Sequence, residues 1–198
     1  MTEQGGWREL APDLGKLNGT TLFFMLVPVL VVIPILAIYN LVWEPTIVWD
    51  SITKTLFPEL SLWRSSLCIL AAIICNAVAH EALHGFGWRI GKPPLPKGSI
   101  KIGFSWKNLT PYCHCNQTLS TARYLIGSLM PLIVLGLLPV VVGFTLGQLH
   151  WTIFGLFSIT TVGGDLLVIY EIMRVEGVDE VRDHPTRLGC LVRTKGSV

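Results

Sequence analysis

Long apolar runs separated by short polar segments organise this chain of 198 residues. Asp, Glu, Lys and Arg are missing from residues 17–43, 65–80 and 124–164. A helix needs about 20 apolar residues to cross a bilayer, so the last and longest of these runs has room for two. The pattern predicts an α-helical multipass membrane protein with about four transmembrane helices. We place them at about 20–43, 62–88, 122–146 and 151–173.

The segment between the second and third spans has a different pattern. Residues 99–106 alternate polar and apolar side chains with a period of two, which is typical of a half-buried strand. Lys107-Asn108 can form a turn, after which 109–115 can return as a second strand. We therefore predict a β-hairpin at about 99–115.

The two ends of the chain are polar. Residues 1–16 form a short arm, for which we consider a surface helix at 7–14. Residues 174–198 form a tail of mixed charge, expected to be cytosolic and partly ordered. We expect one membrane-embedded domain over 1–198.

Composition agrees with a membrane protein and limits the partners. The chain is 51% hydrophobic and 14% charged, whereas soluble proteins are about 25% charged. A net charge of +2 without a basic stripe argues against a nucleic-acid partner. Membrane lipid and a peptide or membrane-protein substrate are the partners expected, and the oligomeric state stays open. Five cysteines, an odd number, indicate reduced thiols on a cytosolic face.

Basic residues predict the orientation. With four spans, the N-terminus, residues 89–119 and the tail lie on one side, which collects thirteen of the fifteen Lys and Arg when Arg123 is counted. Lys54 and Arg64 are the two on the other side. Because cytoplasmic loops carry the excess of basic residues, both termini and the hairpin are expected in the cytosol. We expect an integral protein of a prokaryotic cell membrane.

The strongest chemical signal is an H-E-x-x-H motif at the end of the second span. His80 and His84 are four residues apart, so a helix places both on one face, where they can bind one metal ion. Glu81 points in another direction and can reach a water on the metal as general base. The alternative is two helix-end histidines at the membrane interface with Glu81 as a surface charge.

A catalytic zinc site generally has three protein ligands and an open position. Besides Glu81, the acidic residues within the predicted spans are Asp165 and Glu171, and Glu171 lies further toward the cytosolic edge. His80 lies roughly 28 Å and Asp165 roughly 21 Å from the outer ends of their helices, both in the cytosolic half of the bilayer. Asp165 is therefore the predicted third ligand, although it could instead be a structural acid. Glu171 is the reserve.

Three further polar residues have open interpretations. Cys113 and His114, in the tripeptide Cys-His-Cys, have metal-binding side chains but cannot complete a tetrahedral site alone, so a strand end is the simpler interpretation. Capping of the zinc site by this tripeptide is the alternative. Asn76, one turn before His80, could orient a ligand or the substrate carbonyl, or could form an interhelical hydrogen bond.

Several segments together resemble a family of small membrane proteins of unknown function described as putative zincin peptidases. The likeness covers roughly 75–175 and is carried by His80–Gly85, Tyr112–Cys115, Ile126–Pro131 and Gly164–Leu166. More distantly the arrangement resembles the site-2 proteases, in which H-E-x-x-H on one membrane helix is followed by a β-hairpin and by an Asp on a later helix. The resemblance implies His80, His84 and Asp165 as zinc ligands and Glu81 as the base. Here Asp165 follows Gly164 and precedes Leu166, whereas site-2 proteases usually have Asp-Gly with a nearby Asn-Pro.

The expected function is that of an intramembrane or membrane-proximal zinc peptidase. Zinc acidifies the water that it binds, and Glu81 would take the proton as this water attacks the peptide bond. The strand 100–106 could hold an extended substrate by edge pairing. A membrane protein that binds zinc without turnover, with His114 as a fourth ligand for example, is one alternative. An ion or proton transporter using Glu81 and Asp165 is another.

Overall fold

The computed structural model describes residues 3–4, 6–12, 19–43, 62–106, 109–185 and 187–196. Over these ranges the chain is mostly helical, with two small antiparallel sheets. Three helices are long and apolar enough to cross a membrane, and a bent pair of helices makes a fourth candidate.

The first two long helices follow the predicted bounds. Helix α1 covers Gly19–Trp43, and helix α2 covers Leu62–Arg89 and carries the H-E-x-x-H motif in its last turns. Much of the surface of α1 is apolar and open: Ile33 is 65% and Leu41 is 85% exposed. An exposed apolar surface of this size marks a region that contacts another apolar phase.

The third candidate span is a continuous helical run from Thr121 to Leu146. It begins as α3 (Thr121–Pro131), where the Ser120 side chain accepts a hydrogen bond from the Arg123 N–H as a helix cap. A π-helical stretch, Leu132–Leu137, follows and leads into α4 (Leu138–Leu146). Because Pro139 at the start of α4 has no N–H, it cannot donate the usual helical bond, which favours wider winding at this place.

The fourth candidate span is bent, where the sequence predicted a single span at about 151–173. Helix α5 (Leu149–Thr161) and helix α6 (Gly163–Met173) meet at an angle of 49°. A side chain on Gly163 would come within 2.6 Å of the Phe24 carbonyl oxygen of α1, so only glycine permits this close packing. The bend places Asp165 in the first turn of α6.

The predicted hairpin is confirmed. Strands β3 (Ile100–Ser105) and β4 (Thr110–Cys115) pair antiparallel, with Gly103 opposite Tyr112. The proposed turn residues 107–108 lie outside the described residues.

Both ends of the chain enter a second sheet that the sequence did not predict. Its strands are β1 (Glu3–Gln4), β2 (Trp7–Leu10), β5 (Thr118–Ser120), β6 (Val178–Asp183) and β7 (Cys190–Thr194), in the order β1-β2-β7-β6-β5. The surface helix considered at 7–14 is therefore wrong for 7–10, and 13–14 lie outside the described residues. Residues 7–10 are extended because they pair with β7, a contact distant in sequence.

A compact core joins this sheet to the helix ends that carry the motif. Val181 and Val192 of the sheet are fully covered, together with Trp88 from α2, Tyr124 from α3 and Ile172 from α6. The sheet thus fixes the relative positions of the three helices from which the site is built.

Candidate metal centre

The structure brings together the two motif histidines and Asp165. His80 Nε2 lies 3.1 Å from Asp165 Oδ2, and His84 Nε2 lies 3.3 Å from Asp165 Oδ1. All three ligand atoms fall within 4.8 Å of one another. Among the described residues this is the one such group of His, Cys, Asp and Glu side chains that could hold a metal ion.

The other ring nitrogen of His84 has a defined partner. His84 Nδ1 lies 3.0 Å from the Gly127 carbonyl oxygen of α3. A carbonyl can only accept, so Nδ1 carries the proton and donates it. In the neutral ring this leaves the lone pair of Nε2 directed at Asp165.

His80 is oriented in the same way by a hydroxyl. Thr161 Oγ1 donates its one proton to the Ser158 carbonyl at 2.7 Å, and therefore accepts from His80 Nδ1, 3.4 Å away. Both histidines thus direct Nε2 at the Asp165 carboxylate. Two nitrogen lone pairs facing carboxylate oxygens at this distance repel unless a proton or a metal cation lies between them, and a divalent metal fits this donor set. Two imidazoles and a carboxylate are ligands that zinc commonly takes.

Glycines let the helices approach closely enough to supply these partners. A Cβ on Gly87 of α2 would lie 2.6 Å from the Gly127 Cα, and a Cβ on Gly127 would lie 2.0 Å from the ring of Trp88. The indole N–H of Trp88 in turn donates to the Tyr124 carbonyl at 3.2 Å. The small residues therefore bring the Gly127 carbonyl within reach of His84.

Glu81 is held by the hairpin. Its Oε2 accepts a 2.8 Å hydrogen bond from the backbone N–H of Cys113 in β4. Alternate residues of a strand direct their N–H groups to opposite edges, so Cys113 donates at the edge of β4 that faces away from β3. The same edge is formed by Pro111, which has no N–H, and by Cys115, whose N–H donates to Asp183 Oδ2 at 3.2 Å.

A cavity of about 740 Å³ connects these groups. Glu81, His84 and Asp165 form part of its wall. One face of the hairpin, including Tyr112 and His114, forms another part, and the connection between β6 and β7 closes the rest. Glu81 and two of the candidate ligands, His84 and Asp165, therefore face a shared space of the size of a ligand-binding site.

Sequence reasoning missed Asp183. Its Oδ2 lies 2.9 Å from His114 Nδ1, and its Oδ1 accepts from the Tyr124 hydroxyl at 3.3 Å. Burial raises the pKa of Asp183, and the facing His114 opposes this rise. Since Asp183 lies in a tail with several other charges, nothing in the local pattern distinguished it.

Cys113 and Cys115 lie outside the metal group formed by His80, His84 and Asp165. Burial, together with the nearby carboxylate of Glu81, raises the pKa of Cys113 to about 12. Burial also raises the pKa of Cys115. Their positions at the end of β4 favour the strand-end interpretation over zinc capping.

The remaining candidates take other positions. Glu171 and His114 are not members of the metal group. Asn76 donates to Ser158 Oγ at 2.6 Å, so it makes the interhelical hydrogen bond that was one of its two predicted roles.

Comparison with known protein families adds one match. A model of the family described as "Putative zincin peptidase" matches residues 73–177, from within α2 to just beyond the end of α6. The chain belongs to this family. Searches among curated proteins and among solved structures give no match. Membership of a zincin family implies zinc as the cofactor. In this chain, the group formed by His80, His84 and Asp165 can hold the ion.

Proposed function

We propose that this chain is a membrane-embedded zinc peptidase that hydrolyses a peptide bond at or within the bilayer. The observation that carries the proposal is the convergence of His80, His84 and Asp165 beside Glu81. In the proposed site the three ligands hold zinc, leaving a position open to the cavity. Three protein ligands with an open fourth position are typical of catalytic rather than structural zinc sites.

The chemistry divides between the ion and the chain. Bound zinc supplies a Lewis acid that polarises a carbonyl and lowers the pKa of a bound water toward about 7. Glu81 accepts the proton of the attacking water and returns it to the leaving amine. The Cys113 N–H fixes one carboxylate oxygen of Glu81, so the other is available for this transfer.

The position of Glu81 changes the proposed role of the hairpin. A substrate paired with the free edge of β3 would be separated from Glu81 by both strands of the hairpin, because Glu81 lies at the outer edge of β4. The near edge of β4 has its N–H groups at Cys113 and Cys115 engaged by carboxylates. We therefore propose that the hairpin orients the base, and that a peptide lies along the cavity face formed by Tyr112 and His114.

The helices and the sheet support placement of the chain in a membrane. The apolar helices α1 and α2 and the run 121–146 suit a bilayer, and α5 with α6 suits a fourth span. Strand β2 from the N-terminus pairs with β7 near the C-terminus, which supports an even number of crossings. The basic residues of this side support a cytosolic location for both termini. The prokaryotic membrane remains a prediction from the sequence.

The order of H-E-x-x-H helix, hairpin and later Asp helix is the one that the likeness to site-2 proteases predicts. It supports the same division of roles among Glu81, the two histidines and Asp165. The relationship itself stays a prediction.

The test combines metal analysis with turnover. Purified full-length protein should contain one zinc per chain and cleave a membrane peptide, and removal of zinc by a chelator should abolish cleavage. Glu81→Gln should retain zinc and lose turnover, whereas His80→Ala should lose both. Full activity of Glu81→Gln would contradict the proposal. Zinc without turnover in the wild type would favour the non-catalytic alternative, and ion flux independent of metal would favour the transporter.

A further inference from the structure

His114 is held in one orientation by a buried carboxylate. Its Nδ1 lies 2.9 Å from Asp183 Oδ2, and the side chain of His114 is 24% exposed. Because a carboxylate accepts hydrogen bonds, Nδ1 carries a proton. The second ring nitrogen, Nε2, is therefore the one that can meet another molecule.

The wall of the cavity that contains Glu81, His84 and Asp165 also contains His114. His114 stands opposite Lys101 in the hairpin pairing, and both belong to the face that lines the cavity. A peptide in the cavity would therefore meet the His114 ring.

Glu81 and Asp183 bind two N–H groups along the same edge of β4. Glu81 takes the outward N–H of Cys113, and Asp183 takes the outward N–H of Cys115. Two residues of a strand span about 7 Å. The two N–H groups that hold these carboxylates are therefore about 7 Å apart. A peptide along this face of the hairpin would have Glu81 toward one end and the His114–Asp183 pair toward the other.

Fixing the hairpin to the sheet does not require the histidine. Asp183 already joins β4 through the Cys115 N–H and α3 through the Tyr124 hydroxyl. An imidazole on the cavity wall is thus additional to these structural contacts, which points to a chemical role.

We propose that His114 is a further catalytic residue, which is held by Asp183 through Nδ1 and donates an Nε2–H hydrogen bond to the oxyanion that forms on the carbonyl of the scissile peptide bond. This inference rests on the proposed peptidase function. Asp183 is the positioning residue that holds the orientation of His114. A prepositioned donor to an oxyanion typically accelerates the reaction by about 10²–10³-fold.

The experiment compares His114→Gln with His150→Gln in full-length, zinc-loaded protein. His150 is an exposed histidine at the start of α5, outside the cavity, so it is a matched control. We expect His114→Gln to lower kcat by about 100-fold or more, with KM and zinc content unchanged. His150→Gln should retain the wild-type kcat. Asp183→Asn should lower kcat in the same direction.

Inhibitor binding tests the same contact without turnover. A phosphinic peptide presents an anionic oxygen on a tetrahedral phosphorus atom. The matching peptide thiol also binds zinc but has no such oxygen. His114→Gln should weaken the phosphinic peptide about 100-fold and leave the thiol peptide unchanged. Equal weakening of both ligands, loss of zinc, or a kcat within threefold of wild type would overturn the role of His114.

The two proposals can fail separately. If zinc-loaded wild type cleaves nothing, the peptidase function fails, but the ratio of phosphinic to thiol affinities still tests His114. If Glu81→Gln abolishes cleavage while His114→Gln leaves kcat and this ratio unchanged, only the inference about His114 fails.

Discussion

The carboxylate of Glu81 accepts a 2.8 Å hydrogen bond from the backbone N–H of Cys113. Helix α2 sets the direction of Glu81 relative to the two histidines, and strand β4 fixes its carboxylate. The orientation of Glu81, the proposed base, therefore depends on the hairpin as well as on the motif. Hydrogen bonds to charged groups contribute about 1.5–3 kcal/mol, enough to affect turnover measurably.

Removal of this one donor should reduce activity. The Cys113 N–H points away from β3, so Cys113→Pro removes it without breaking the ladder, as Pro111 already does in the same strand. We expect kcat to fall about 10–100-fold, from the value of a charge-assisted hydrogen bond, with zinc still bound. Cys113→Ala keeps the N–H and is the control. Equal activities of the two variants would show that the bond does not position Glu81.

The partner of His80 should contribute to zinc affinity. Thr161→Val removes the oxygen that accepts from His80 Nδ1. Loss of such an outer partner typically costs 10–100-fold in metal affinity. Thr160→Val is the matched control, since Thr160 likewise donates to a carbonyl one turn back, that of Phe157, without contacting His80. Chelator competition measures the affinity, and similar values for both variants would contradict the assignment.

Substitutions of Asp165 and Glu171 distinguish the predicted third zinc ligand from the reserve candidate. Asp165→Ala removes one of three ligand groups, so zinc affinity should fall by more than the roughly 100-fold upper range for outer partners. Glu171→Gln should bind zinc as the wild type does, because Glu171 lies outside the metal group. Loss of zinc in Glu171→Gln with retention in Asp165→Ala would reverse the two roles.

Close packing at Gly127 should be sensitive to one methyl group. A Cβ there would overlap the Trp88 ring, and overpacking typically costs about 1–3 kcal/mol. Gly127→Ala should lower Tm by about 5 °C, from the usual relation for chains of this size, and should weaken zinc binding through His84. Gly19→Ala adds a methyl group into open space and is the control. Equal Tm values would exclude the helix contact as a constraint on the site.

Local chemistry and distant pairing explain which features the sequence could predict. The motif spacing, the position of Asp165 and the alternation in β3 carry their information within a few residues, so the sequence could predict the hairpin and the meeting of His80, His84 and Asp165. The second sheet pairs residues 8 and 192, and Asp183 acquires its role from β4 and α3. The pattern of residues in a short polar segment does not predict contacts with segments distant in sequence. The bend between α5 and α6 likewise depends on the packing of Gly163 against α1.

The sheet formed by both ends of the chain gives the last prediction. Cys190 in β7 is fully buried, stands opposite Leu10 of β2, and has its pKa raised to about 12 by burial and by Asp183. The reactive thiolate is the deprotonated form, so a raised pKa leaves roughly one thiol in ten thousand reactive at pH 8. Deletion of residues 1–12 should expose Cys190 and accelerate its labelling by a charged maleimide about 10-fold or more, since exposure returns the pKa toward about 8.5. Cys113, whose pKa is also about 12, is the internal control, and peptide mass spectrometry measures both. Parallel acceleration at Cys113 would indicate general unfolding, whereas an unchanged Cys190 would show that β2 does not protect β7.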